Sequence, residues 1–269
     1  MMVINCSTAA ATHLYGKYKK NVDEGFFEPA SSVQQTIMER QSDEKNKAII
    51  QWVVHAVKIG RSTCLIAMEY ESRWVHVIHQ VRKGDVQGFL ERLNTRLVNG
   101  MEWLGADYSL FTTAAMEKAI DRYFKQHKEI RFYQQTDRSV TAHISHVSDQ
   151  YQYTYHQVGA FPEDEEMALH FDLRLNDEWR CIKGENYDLK AKEKMLLIWL
   201  VQYNKLSFVK AMQLIERIIS ANRLAFDSTD NISDTDVKIA EKILNNNSIS
   251  GGINVVDINK FKNKSKKLH

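Results

Sequence analysis

Three short β-prone segments, separated by tight turns, follow one another in the first third of the chain. The segments are Ile49–Ile59, Thr63–Tyr70 and Arg73–Val81, and the turns are Gly60-Arg61-Ser62 and Glu71-Ser72. Connections this short join antiparallel strands, because a parallel crossover needs about a dozen residues or more. The sequence therefore predicts an antiparallel meander over about residues 49–81.

The segments before and after this meander differ from it in the spacing of their apolar residues. Met2–Cys6 predicts a short strand that joins the sheet, and Ser7 follows it as a helix N-cap. Later apolar residues recur at helical spacing, with Asp85, Thr112 or Thr113, and Asp137 as helix starts. We therefore predict an α+β fold in which an antiparallel sheet, the meander plus the N-terminal strand, packs against helices.

A C-terminal helical segment is expected to follow this domain. Its helices are predicted at Leu189–Tyr203, Ser207–Leu224 and Ser233–Leu244. They carry more apolar side chains than one helix face can hide, so they must bury themselves on the first domain or on a partner. The predicted organisation is an α+β domain at 1–187, a helical appendage at 188–244 and a flexible basic tail at 245–269.

Composition excludes several classes of protein. Acidic and basic residues nearly balance, with a net charge of +2, so no global field points to nucleic acid. No apolar run approaches the roughly 20 residues that a membrane span requires. The three cysteines are widely spaced and odd in number, which favours a reducing compartment. We expect a cytoplasmic protein without a membrane segment.

A pattern of polar and aromatic positions runs through the first two thirds of the chain. It consists of Val3-Ile4-Asn5-Cys6-Ser7, Trp52, Arg61, Cys64, Lys83-Gly84-Asp85, Thr136-Asp137-Arg138-Ser139-Val140 and Leu173-Arg174-Leu175-Asn176. Over about residues 1–180 this pattern resembles a family of uncharacterised prokaryotic domains that are often carried on mobile elements. The resemblance implies a fold and a bacterial setting, and no activity, since none is established for that family. The chain departs from the family at His55, in place of an asparagine, and at Ser62-Thr63, in place of a second arginine and a lysine.

One polar constellation is a candidate anion or ligand site. It comprises Arg61, Asp137, Arg138, Ser139, His143 and Asn176, most of which match recurring polar positions of the family. Capping and turn chemistry explains several of these residues without any ligand. If the helix that starts at Asp137 faces the turn that carries Arg61, its N–H groups and two arginines converge on an anion.

Metal and thiol chemistry find little support. His143 and His146 share a helix face and are a plausible pair of metal ligands, but no further ligand accompanies them, so no metal and no cofactor is predicted. Cys64 lies in an apolar strand, and we expect it to be a buried, inert residue. Cys6 and Cys181 are expected to behave in the same way.

Function is predicted only at the level of class. The favoured hypothesis is a non-enzymatic interaction or regulatory module in a bacterial mobile-element, defence or toxin–antitoxin setting, with a protein partner or self-association through the helices of 188–244. The alternative is an enzyme with an unrecognised polar site that acts on nucleic acid. A lysine cluster in the tail gives weak support to nucleic-acid contact, at Lys260, Lys262, Lys264, Lys266 and Lys267.

Overall fold

The computed structural model describes residues 1–15, 49–182 and 189–229, with side chains described as far as residue 220. Within these ranges the chain forms five strands and seven helices. The strands are β1 (Met2–Cys6), β2 (Ile50–Ile59), β3 (Ser62–Glu69), β4 (Val75–Ile78) and β5 (Ile130–Gln134). The helices are α1 (Thr8–Tyr15), α2 (Val86–Asp107), α3 (Thr113–Gln126), α4 (Arg138–Val158), α5 (Glu165–Asn176), α6 (Ala191–Gln202) and α7 (Phe208–Thr229).

The strands form one mixed sheet in the order β4-β3-β2-β1-β5. β2, β3 and β4 pair antiparallel, as the short turns predict. β1 lies inside the sheet and runs parallel to both β2 and β5, so the prediction of an antiparallel sheet is wrong for this half. The reason is connection length, because residues 7–49 separate β1 from β2 and give the chain room for a crossover.

Helices cover both faces of this sheet. On one face β1, β2 and β3 pack against α1, α2, α3, α6 and α7. On the other face β2, β3 and β4 pack against α4, while α5 closes the side of β4. Trp52 on β2 is fully buried in the first layer and stacks on His76 of β4, with ring centroids 5.8 Å apart. Trp52 and the apolar residues next to it on β2 therefore form part of the core.

The tight turn between β2 and β3 is fixed by its contact with α4. Gly60 has a φ of +57°, a left-handed conformation that glycine adopts without strain. A Cβ atom at this position would lie 2.5 Å from the hydroxyl oxygen of Tyr155 on α4. The turn therefore lies beside the C-terminal half of α4.

The free edge of β4 is closed by side chains instead of a further strand. The carboxamide of Asn176 on α5 accepts from Val75 N–H at 2.7 Å and donates to Val75 C=O at 2.8 Å. One turn earlier, Asp172 accepts from Val77 N–H at 3.0 Å. An unpaired strand edge can pair with a strand of another chain. α5 therefore blocks this edge of β4 and also gives its backbone N–H and C=O groups hydrogen-bond partners.

A buried ion network continues from this edge. Asp172 accepts from Nδ1 of His76 at 2.8 Å and from Nη1 of Arg96 at 3.2 Å. Arg96 also donates to Glu165 through Nε at 2.8 Å and to the Val77 carbonyl at 2.7 Å. His76, Arg96 and Asp172 are each at most 1% exposed, so this network joins α2, α5 and β4 inside the protein.

The predicted helix starts are confirmed in detail. Asp85, Thr112 and Asp137 each accept a backbone N–H three residues further on, in α2, α3 and α4 respectively. Gly159 ends α4 in the left-handed conformation, with φ of +76°. These caps satisfy N–H groups that would otherwise have no partner inside the helix.

α6 and α7 share the core of the sheet domain. Six apolar side chains of α6 are at most 9% exposed, and Tyr203 behind them is fully buried. Ala211, Ile215 and Ile218 of α7 are also buried and belong to the same cluster. Of the two expectations for this segment, burial on the first domain is what the structure shows for residues 189–220. The third predicted helix and the predicted tail at 245–269 lie outside the described residues.

Among the helices of the described ranges, none combines the length and the apolar character that crossing a membrane requires.

Candidate functional site

The N-terminal turn of α4 lies beside the turn between β3 and β4. Asp137 caps the helix by accepting from Val140 N–H at 3.0 Å, and Arg138 and Ser139 are exposed in its first turn. Arg73, in the β3–β4 turn, reaches this point and donates from Nη2 to Ser139 Oγ at 3.1 Å. Two segments far apart in sequence thus bring a guanidinium group to a helix N-terminus.

Arg73 is held in place by its own turn. Its backbone has a φ of +60°, which costs free energy for a residue other than glycine. A guanidinium N–H donates to the carbonyl of Tyr70, and the guanidinium carbon lies 5.1 Å from the centre of the Tyr70 ring. Only 2% of the residue is exposed, so the turn fixes where the charge lies.

Two further cations stand behind Arg73. Arg180 donates from Nη1 to the Arg73 carbonyl at 3.1 Å, and Lys194 on α6 donates from Nζ to the Arg180 carbonyl at 3.1 Å. Arg180 is 3% exposed and Lys194 is 7% exposed. We call Arg73, Arg180 and Lys194 the cation cluster. Burial lowers the pKa of Arg180 to about 10, because the site solvates the guanidinium charge poorly. Glu178, 3.9 Å away, opposes this shift only in part.

His143 faces the cation cluster from the second turn of α4. Its Nε2–H donates to the Cys181 carbonyl at 3.3 Å. Burial lowers the pKa of His143, and the charges of Arg73, Arg180 and Lys194 lower it further. Since three separate cations disfavour a fourth positive charge at this position, the electrostatic potential at His143 is positive.

The mouth of this site is open to solvent. Ser139 and Cys181 are exposed and His143 is half-buried. Because Ser139 Oγ accepts from Arg73, its own O–H remains a donor for another group. Apart from Val140 N–H, which Asp137 caps, the N–H groups of the first turn of α4 point toward the N-terminal end of the helix, as they do in any helix. Hydrogen-bond donors and positive charge thus converge, which is the arrangement that binds an anion.

The structure brings together some of the predicted site residues and not others. Asp137, Ser139 and His143 lie on the first two turns of α4, and Asn176 contacts the cation cluster by accepting from Arg180 at 3.3 Å. Arg138 is exposed beside them. The main contacts of Asn176 are with the backbone of Val75 at the free edge of β4, and not with the end of a helix as capping chemistry would have placed them.

Arg61 does not belong to this group. Its turn lies against the far half of α4, where Gln152 donates to the Lys58 carbonyl at 3.4 Å. From Ser139 to Gln152 the helix rises about 20 Å, at roughly 1.5 Å per residue. The predicted convergence of Arg61 with Arg138 is therefore not observed, and Arg73, from the other tight turn of the meander, occupies that place.

Arg73, Arg180 and Lys194 were missed by the sequence analysis. The position of Arg73 directly after a tight turn between two predicted strands is the one sequence feature that could have indicated it. No sequence feature indicates Arg180 or Lys194, because their positions depend on how α5 and α6 pack. Cys181 was expected to be buried and is exposed. Cys6 and Cys64 are buried as expected, and burial raises the pKa of each thiol to about 12.

No metal centre is found among the described residues, where no three His, Cys, Asp or Glu side chains are grouped to hold an ion. His146, the expected partner of His143, instead lies 3.8 Å from Glu178. The groups available to bind a ligand at the N-terminus of α4 are therefore the cation cluster and the hydrogen-bond donors of Ser139 and the helix backbone.

The comparison with protein families identifies the chain. A profile of the domain of unknown function DUF6933 matches residues 28–193, more than half of the chain, and the chain belongs to this family. The resemblance to an uncharacterised domain family is thereby confirmed. The matched segment contains the β3–β4 turn, α4 and Arg180, and it ends inside α6. No curated protein and no solved structure matches this chain.

Proposed function

We propose that this DUF6933 domain is a binding module that holds an anionic, phosphate-bearing ligand at the N-terminus of α4. The observation that carries the proposal is the cation cluster, three buried positive charges linked in series behind an exposed serine and a half-buried histidine. Because the exposed donors of Ser139 and of the first turn of α4 lie next to this positive charge, an anion bound there gains both hydrogen bonds and electrostatic attraction.

Phosphate fits the donors better than a carboxylate does. The Ser139 hydroxyl and the first-turn N–H groups of α4 are donors on separate atoms, and Nδ1 of His143 becomes a further donor when the ring is protonated. A phosphate group offers three or more acceptor oxygens in a tetrahedral arrangement, whereas a carboxylate offers two in one plane. Helix N-termini together with fixed cations are a common way of holding phosphate.

Calorimetric titration tests this proposal. The wild-type protein is titrated with inorganic phosphate, pyrophosphate and acetate at matched ionic strength. We expect saturable binding of the phosphates that is stronger than binding of acetate. Lys194→Met, which keeps most of the apolar stem and removes the charge, should weaken phosphate binding about tenfold or more, as expected for loss of a charged partner.

Lys210→Met is the matched control. Lys210 lies on α7 and is exposed, so the variant loses the same charge away from the cation cluster and should bind phosphate as the wild type does. Equal weakening in both variants would mean that only the net charge matters. Absence of saturable binding in the wild type would leave the cation cluster with a purely structural role in joining the β3–β4 turn to α5 and α6.

An enzyme that acts on a phosphodiester is the second candidate. One feature favours it, namely that the lowered pKa of His143 keeps its imidazole neutral and able to accept a proton beside the anion site. Hydrolysis of bis(4-nitrophenyl) phosphate that is abolished in His143→Gln would favour this candidate. Phosphate binding without turnover would favour the binding module. The mobile-element, defence or toxin–antitoxin setting and the tail lysines stay predictions.

A further inference from the structure

A concavity that is chemically different from the anion site lies between the end of α2 and the start of α3. It has a volume of about 490 Å³, within the range of small-molecule sites. Trp103, Phe111 and Met116 supply its apolar walls. Phe111 lies so close to Gly105 that a Cβ atom at residue 105 would collide with the Phe111 ring, so a larger residue there would displace this wall.

The polar groups of this cleft are acidic or neutral. Glu102 and Asp107 line it, together with Asn99, Thr112 and Thr113. Among the described residues that line it there is no lysine, arginine or histidine. Burial and, to a smaller extent, the charge of Glu117 on α3 together raise the pKa of Glu102 to about 7. The carboxyl group therefore lies in a place that disfavours its own negative charge, and a cation would relieve this.

Aromatic walls fit the same kind of ligand. The indole of Trp103 is held by an edge-to-face contact with His170 of α5, with ring centroids 4.5 Å apart. A fixed indole attracts a cation over its face, and the apolar walls favour a ligand with a hydrocarbon body. Carboxyl groups and aromatic rings around one volume thus complement an organic cation in both charge and polarity.

We propose that the cleft between α2 and α3 is a binding site for a small organic ammonium ion, whose nitrogen pairs with Glu102 and whose apolar body lies against Trp103, Phe111 and Met116. This site is separate from the cation cluster and takes a ligand of opposite charge. Its failure would leave the anion proposal intact, and the reverse also holds.

The test uses three ligands of similar size and different charge. Phenethylammonium, 2-phenylethanol and phenylacetate are titrated into the full-length protein by calorimetry at pH 8. We expect the ammonium ion to bind at least about tenfold more tightly than the alcohol, because it adds a charge-assisted hydrogen bond to Glu102. Phenylacetate should bind more weakly than the alcohol because Glu102 and Asp107 repel it.

Two variants separate the site from general charge effects. Glu102→Gln should lose the preference for ammonium over alcohol, while Glu91→Gln, with the same loss of charge at an exposed position of α2, should keep it. In the wild type, phenethylammonium should lower the pKa of Glu102, followed by NMR of the carboxyl carbon, because a nearby cation favours the carboxylate. Equal affinity for the ammonium ion and the alcohol would overturn the proposal, as would a preference that survives in Glu102→Gln.

Discussion

His127 shows at the scale of one residue how this protein holds a neutral imidazole. Its Nδ1–H donates to the Met1 carbonyl at 2.8 Å, and its Nε2 accepts from the Tyr203 hydroxyl at 2.8 Å. This pattern requires the neutral ring, because a protonated ring has no acceptor for the Tyr203 O–H. Burial lowers the pKa of His127 to about 4, and the carbonyl of Met1 opposes this only in part.

Stability should therefore depend on the protonation of His127. Its pKa is about 4 in the folded protein and near 6.5 in the unfolded chain, so the unfolded chain binds more protons between these values. The free energy of unfolding should fall as the pH is lowered from 6.5 to 4, and His127→Gln should remove this part of the slope. Urea titrations over this pH range measure both. NMR titration of the His127 ring supplies the direct check, and a midpoint at or above 6.5 would contradict the account.

At the scale of elements, the β4 edge depends on one carboxamide. Asn176→Ala would leave the buried N–H and C=O of Val75 without partners and would remove a contact of Arg180. Each unsatisfied buried group costs about 1–3 kcal/mol, so we expect a loss of roughly 2–5 kcal/mol in unfolding free energy.

The control for this variant also joins a helix to the sheet. Gln152→Ala removes an exposed contact of 3.4 Å with the Lys58 carbonyl and should change stability by less than about 0.5 kcal/mol. Chemical denaturation compares the two variants. If Asn176→Ala is no more costly than Gln152→Ala, then the edge of β4 does not need its cap.

The secondary-structure elements also show which features of the fold can be predicted from the sequence and which cannot. Turn length and side-chain period are local, so the hairpins of β2–β4 and the capped starts of α2, α3 and α4 were predicted correctly. The direction of β1 relative to β2 depends on the path of a long connection, and nothing local to β1 encodes it.

The candidate site likewise has features that the sequence predicts and features that depend on tertiary packing. Asp137 was recognisable as a cap because its partner lies three residues away. The choice between Arg61 and Arg73 as the arginine beside α4 depends on how that helix crosses the sheet, and in the sequence both arginines lie in or directly after a tight turn. Arg180 and Lys194 meet only through packing of α5 and α6, which no short-range pattern indicates.

On the scale of the whole molecule, α6 and α7 belong to the core. Trp199 and Tyr203 are fully buried and contact Tyr123 of α3, with ring centroids 5.6 and 5.4 Å apart. A chain shortened to residues 1–187 should therefore fail to fold cooperatively, because it loses these side chains and exposes the layer beneath them.

Thermal unfolding followed by near-ultraviolet circular dichroism tests the shortened chain. The full-length protein should show one cooperative transition, and the shortened chain should show none. A shortened chain that unfolds cooperatively near the temperature of the full-length protein would instead support the predicted boundary at residue 187 and a separate helical appendage.

The most direct test of the anion site is the pKa of His143, followed by NMR with increasing inorganic phosphate and constant ionic strength. Burial and three cations lower this pKa in the free protein, so a bound phosphate should raise it, with a saturable dependence on phosphate. Sodium chloride at the same ionic strength controls for screening. The account predicts a rise that is saturable in the wild type and in Lys210→Met and is strongly reduced in Lys194→Met. A His143 pKa that responds equally to phosphate and chloride would contradict it.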